Sequence, residues 1–220
     1  MTDTKTKILE VAERLLIVHG PDKLTLRMIT AEAGVNLAAI NYHFGSKADM
    51  ENALLTRFIG PIEEKRLQML DKAEKAAGTA ALPLETVIRC FLIPLAEFAD
   101  KYPENRHIFI GLYRLFNDET RFKAQIQRIM EQTLERFSSV LCRALPDVPR
   151  ETTLVRLTFI WSTSTALLDS WMTEQVKTTL GLDAGKRDIL QEMVVFLAAG
   201  FRNLGPRALP KTKGLSPSRG

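Results

Sequence analysis

The stretch that most constrains this chain is Leu24–Asp49, LTLRMITAEAGVNLAAINYHFGSKAD. Thr25 stands where an N-cap belongs, with a hydroxyl able to accept from a free backbone N–H of the following turn. Leu26, Ile29 and Ala33 then form an apolar stripe over two turns. Gly34 follows where a left-handed residue would end the helix and reverse the chain. Val35 anchors the turn, and Asn36 can cap a second short helix over Leu37–Phe44. Ser46 opens a third, with Asp49 three residues on in a near capping box. Two short helices joined by a glycine turn make a helix-turn-helix, whose second helix can enter a DNA major groove.

In that second helix Val35, Ile40 and Phe44 can face a core, while Leu37, Ala38, Asn41, Tyr42 and His43 project elsewhere. The small residues Ala38 and Ala39 permit close approach to a groove wall. Asn41, Tyr42, His43 and Lys47 offer hydrogen-bonding or cationic groups to phosphates and base edges. Spacing alone leaves two readings open: a DNA-reading helix, or a helical hairpin with a solvated polar face.

The segment resembles the DNA-binding domain of the TetR family of one-component transcriptional regulators. Ile29, Ala33, Gly34, Val35, Phe44 and Lys47 occupy the matching places. Thr30 departs from the family's usual Ala, and Asn41 from its usual Tyr. The wording AAINYHFGSK, Ala38–Lys47, is similar to a subgroup in which that departure is usual and some members respond to fatty acids or their acyl thioesters. The resemblance implies an all-α chain that binds a palindromic operator as a homodimer, represses, and is released by a small apolar effector. On that reading Thr25, Arg27, Tyr42, His43 and Lys47 are expected to hold phosphates, with Asn36, Leu37, Ala38 and Asn41 near base edges. The rival expectation is a helical ligand-binding or scaffolding dimer whose helix-turn-helix contacts protein.

The rest of the chain reads as helix. Ile8, Val11, Ala12, Leu15 and Leu16 give an amphipathic helix over Asp3–His19, stopped by Gly20-Pro21-Asp22. The helix begun at Ser46 runs through Leu54, Leu55 and Phe58 to Gly60-Pro61, where a kink or break is expected, and resumes over Glu63–Ala77. That bend reads equally as a signalling hinge and as a fixed structural kink. After the small, turn-prone Gly78–Pro83, helical patterns cover Leu84–Tyr102, Glu104–Phe116, Glu119–Leu145, Arg150–Leu180 and Gly185–Leu204. Pro94 should bend the first of these. The expected division is a DNA-binding domain over 1–48, a ligand-binding and dimerisation domain over 49–204, and a disordered basic tail over 205–220.

Both of the last two helices carry apolar residues on more than one side, which calls for a partner surface beyond their own core. Leu154, Leu157, Trp161, Leu168 and Met172 line one face of the longer, and Met193–Phe201 is apolar almost all round. A four-helix interface with a second copy is the expected solution, and it matches the pairing of the last two helices in TetR-family dimers. The resemblance also implies an inducer pocket, for which Phe91, Phe98, Phe109, Tyr113, Phe116, Trp161 and Trp171 are the candidates. Arg89, Arg114 or Asp169 would anchor a polar head. Individually each aromatic reads first as core.

Charge adds little. The chain is formally +4, but Arg202, Arg207, Lys211, Lys213 and Arg219 lie in a segment without acids. The other 25 basic residues face 26 acidic ones, so the body is near neutral. Cys90 and Cys142 stand apart, the N-terminus is polar, and no apolar run approaches a membrane span, so a reduced, cytoplasmic chain is expected. His19, His43 and His107 lie far apart, without HxxxH or HExxH spacing, and no GxSxG, P-loop or GxGxxG is present. The Ser162–Thr165 hydroxyls can donate to carbonyls one turn back. The expectation is therefore no catalytic site, no metal and no cofactor.

Overall fold

The computed structural model describes residues 3–19, 23–101, 123–164, 175, 177–183 and 185–203. Among these every regular element is helical. The helices are α1 (Thr4–His19), α2 (Leu26–Ala33), α3 (Leu37–Phe44), α4 (Lys47–Ala77), α5 (Leu84–Lys101), α6 (Lys123–Ala144), α7 (Arg150–Ser164) and α8 (Lys186–Arg202). None is long and apolar enough to cross a membrane.

Two apolar cores organise them. The first gathers the α1 stripe of Ile8, Val11, Ala12, Leu15 and Leu16 with Ile29, Ala33 and Ile40 from α2 and α3. Met50, Leu54, Leu55, Phe58 and Ile59 from the first half of α4 close it. The second is built from Leu70 of α4, the α5 face from Leu84 to Leu92, Phe137, Val140 and Leu141 of α6, Leu157 and Ile160 of α7, and Val194, Leu197, Ala198 and Phe201 of α8. Helix α4 contributes fully buried residues to both, while Phe98 of α5 and Ile126 and Ile129 of α6 also pack against the first.

The break expected at Gly60-Pro61 does not occur: α4 runs unbroken for 31 residues with Pro61 inside it. Pro61 lacks an N–H and so forfeits the bond to the carbonyl of Arg57. Burial compensates, because Phe58, Ile59 and Ile62 around it are all packed inside. Arg57 also pins this stretch to α1, donating from Nε to Glu13 at 2.5 Å with Glu10 at 3.8 Å. Pro94 likewise lies within an uninterrupted α5.

The far end of α8 is tied down by side chains. Arg202 makes a two-pronged bond to Glu85 of α5 at 2.6 and 2.7 Å. Arg156 of α7 donates to the carbonyls of Phe201 and Asn203, which satisfies acceptors at the helix C-terminus.

Candidate nucleic-acid interface

Local chemistry sets the helix-turn-helix. Thr25 has extended backbone, and its Oγ1 accepts from Met28 N at 3.2 Å, so α2 begins one residue later. At the other end Gly34 adopts φ 64° and ψ 36°. Its N–H reaches the Ala31 carbonyl at 3.4 Å, and the Val35 N–H reaches that of Thr30 at 3.0 Å. This pair of bonds is the Schellman arrangement, and only glycine enters it without a Cβ penalty. Asn36 then caps α3, its Oδ1 accepting from Ala39 N at 2.9 Å. Ser46 caps α4 by accepting from Asp49 N at 3.1 Å, while its own hydroxyl donates to the Asp49 carboxylate at 2.6 Å.

With the caps in place, the rotation of α3 is decided by burial. Ile40 is fully enclosed, and Val35 and Phe44 pack against the same core. The opposite side presents Leu37, 52% exposed, and Tyr42, 86% exposed, together with exposed Ala38 and Asn41. Thr25, Arg27, Asn36 and Lys47 are exposed as well. His43 is only half-buried, its ring edge-on to Tyr42 at 5.1 Å between centroids. Three of these groups already have local work: Thr25 and Asn36 are caps, and Lys47 lies 3.5 Å from Glu51 one turn along α4. A phosphate would have to compete with Glu51 for that ammonium, a modest obstacle for an exposed pair.

Sequence reasoning missed two cations beside this surface. Lys5 of α1 sits over the Phe44 ring, 5.5 Å from its centroid, and a Cβ built on Gly34 would lie 4.0 Å from Lys7 Nζ. Both lysines are exposed and flank the turn and the end of α3. Lys7 lies off the α1 stripe, whereas Lys5, three residues before Ile8, falls in line with it as a charged letter among apolar ones.

Two family models match the chain. One, described as "Bacterial regulatory proteins, tetR family", covers residues 8–54. The other, a "Tetracyclin repressor-like, C-terminal domain", covers residues 89–200, just over half of the chain. The chain belongs to the TetR family. It is a helix-turn-helix DNA-binding transcriptional regulator. Among relatives, it is 24% identical over 141 residues to the nucleoid occlusion factor SlmA of Photobacterium profundum, covering 64% of this chain and 67% of that protein. It is 42% identical over 53 residues to the HTH-type transcriptional regulator TtgR of Pseudomonas putida, covering 24% of this chain and 25% of that one. In fold it is similar to the fatty acid degradation regulator FadR of Bacillus halodurans, with a TM-score of 0.62 at 15% identity over 92% of this chain and 98% of the other.

The effector-side candidates divide. Phe91 is buried in the second core, with Trp161 half-buried against it at 6.2 Å between ring centroids. Phe98 goes elsewhere: it packs on the first core, edge-on to Phe58 at 6.3 Å. Arg89 donates to Gln191 of α8. Phe109, Tyr113, Arg114, Phe116, Asp169 and Trp171 lie outside the described residues.

What the apolar reading of α4 passed over is a buried ion pair. Arg66 is 1% exposed and Glu63 4%. Arg66 Nη1 donates to Glu63 Oε1 at 2.6 Å, and Nε to the Phe91 carbonyl at 2.9 Å. Burial pulls the guanidinium below its ordinary range, and the charge and hydrogen bond of Glu63 oppose that pull. The clue was positional: 59, 62, 63, 66 and 70 fall on one helical stripe, and two of the five are charged.

Proposed function

We propose that this TetR-family regulator binds a palindromic operator as a homodimer, represses from it, and is released by a small apolar effector, with fatty acids and acyl thioesters the first class to test. The observation that carries the DNA half is the division of α3. One side is locked into the core by Ile40, and the other leaves Leu37, Ala38, Asn41 and Tyr42 free to meet a groove. Thr25, Arg27, Tyr42, His43 and Lys47 are assigned to phosphates, and Asn36, Leu37, Ala38 and Asn41 to base edges. Lys5 and Lys7 join the phosphate set.

The dimer is supported by apolar surface on the last helices. Val155 and Phe159, one turn apart on α7, are 40% and 55% exposed. Val195 and Phe196 on α8 are 48% and 74% exposed. A monomer gains nothing by holding such residues in water, whereas a second copy would cover them. We retain residue 48 as the division between a DNA-binding and a ligand-binding, dimerising unit, with α4 shared by both cores. The cytoplasm is the compartment this function requires.

Selection of DNA from a random pool by the purified chain, repeated across salt, tests the reading. A palindrome should emerge, with affinity falling steeply as salt rises. Lys47→Ala should weaken binding to all sequences alike and lower the salt slope by about one phosphate contact. Without enrichment, and with a partner bound independently of salt, the helix-turn-helix would instead be a protein-contacting surface on a scaffolding dimer.

A further inference from the structure

The buried pair on α4 leaves one strong acceptor unused. Glu63 Oε1 takes the Arg66 bond, but Oε2, equally shut from solvent, has no hydrogen-bond partner among the described residues. A buried carboxylate oxygen left unpaired is costly, and native interiors rarely retain one without a reason. A second orphan lies on the neighbouring helix: the Thr133 hydroxyl of α6 is buried and unpartnered. Helices α4 and α6 lie alongside each other, joined by Gln125 to Thr56 at 3.1 Å and by Arg136 to Asp71 at 2.6 Å. Thr133 falls between those two ties on α6, as Glu63 and Arg66 do on α4. The adjoining surfaces are aromatic. The guanidinium lies 3.8 Å from the Phe91 ring centroid and 5.6 Å from that of Trp161.

We propose that Glu63 is the polar anchor of the effector site, and that it selects a neutral apolar molecule carrying a hydrogen-bond donor such as a hydroxyl. The inference rests on the reading of a small apolar effector above, and it sets a neutral donor head in place of the fatty-acid and acyl-thioester heads named there as the first to test. Charge decides among head groups. Glu63 and Arg66 balance one another, so a neutral donor completes Oε2 without adding net charge to a low-dielectric interior. An anionic head would leave the site net negative with Oε2 still unpaired, and an acceptor-only head gives Oε2 nothing. Phe91 and Trp161 make the surroundings of the pair apolar, the kind of environment an apolar ligand body shares.

The test is a head-group series on one ten-carbon chain: 1-decanol, methyl decanoate and decanoate, titrated calorimetrically into the full chain without DNA. A Glu63→Gln variant is run in parallel, so that transfer differences between probes cancel in the ratio. In the wild type, decanol should bind about tenfold tighter, relative to the ester, than it does in Glu63→Gln, the worth of one hydrogen bond to a charged group. Glu63→Asp keeps the charge opposite Arg66 and withdraws the acceptor by one methylene; it should lose most of the same preference, and stands in if Glu63→Gln fails to fold. An unchanged decanol-to-ester ratio in the folded variant, decanoate as the tightest probe, or no binding by any of the three overturns the proposal. Decanol bound through Glu63 but unable to release DNA would leave the site standing and sink the effector reading instead.

Discussion

Gly60→Ala should stabilise this protein, against the intuition that a glycine beside a proline marks a necessary hinge. Gly60 lies inside α4 and is not among the glycines with positive φ. Alanine is therefore admissible on backbone grounds, and in a helix interior it is favoured over glycine by about 0.8–1 kcal/mol. Space does not take that gain back. A Cβ at Gly60 would meet Thr56 Cγ2 at 3.9 Å, an ordinary van der Waals distance. Thr56 is also held where it is: its hydroxyl donates to the Asn52 carbonyl at 2.9 Å and accepts from Gln125 at 3.1 Å.

The net expectation is a gain of about 0.5–1 kcal/mol, equivalent to roughly 1–4 °C for a chain of this size. Urea unfolding at one fixed protein concentration would read it as a higher midpoint with an unchanged slope. Affinity for a selected DNA site should stay within about twofold, since α4 would keep the geometry it already has. A midpoint that falls by a similar amount would refute the reasoning. It would mean that residue 60 leaves helical geometry in solution and that α4 flexes there. The unbroken helix would then be the wrong basis for thinking about signal transmission.

Other substitutions probe other links. Gly34→Ala should cost about 1–2 kcal/mol, because φ is +64° while the nearest foreign atom, Lys7 Nζ, is a harmless 4.0 Å away; thermal unfolding would show the loss, and specific DNA binding should weaken with it. Arg66→Ala strands a buried carboxylate and should cost about 3–5 kcal/mol, whereas the double change Glu63→Leu with Arg66→Met should recover most of that stability. Equal losses in the single and double variants would argue against the pair being a charge-balanced unit. Glu85 is held below its ordinary value, chiefly by the hydrogen bonds from Arg202. Its small contribution is complete above the unfolded carboxylate value of about 4.3 and is lost as pH falls through the lower folded one. Glu85→Gln should therefore change stability at neutral pH but little at pH values below both, as acid titration of the unfolding midpoint would show.

Why the helix-turn-helix could be read in advance, and the packing of the later helices could not, follows from the range of the interactions. Thr25, Gly34, Asn36 and Ser46 act on backbone groups within four residues of themselves, so their chemistry is complete in the local sequence. Once those caps fix the helix ends, the side of α3 carrying Ile40 must turn inward, and the exposed set follows. Periodicity assigns a residue to a face but not to a partner. Phe91 and Phe98 sit seven residues apart on α5 and read as one stripe, yet one joins the second core and the other the first. Of the kink or break expected at Gly60-Pro61 the break is absent for a related reason: a proline's local cost was visible, while the burial of Phe58, Ile59 and Ile62 that offsets it was not. Glu63 and Arg66 carry the point furthest. An apolar reading skips charged letters, so it discards the residues whose presence on a buried stripe is hardest to account for by stability. Replacing such a pair with apolar side chains is often neutral or stabilising. Its place here, with one carboxylate oxygen unpaired among the described residues and the guanidinium beside the Phe91 and Trp161 rings, is better explained by something that oxygen binds than by the packing around it.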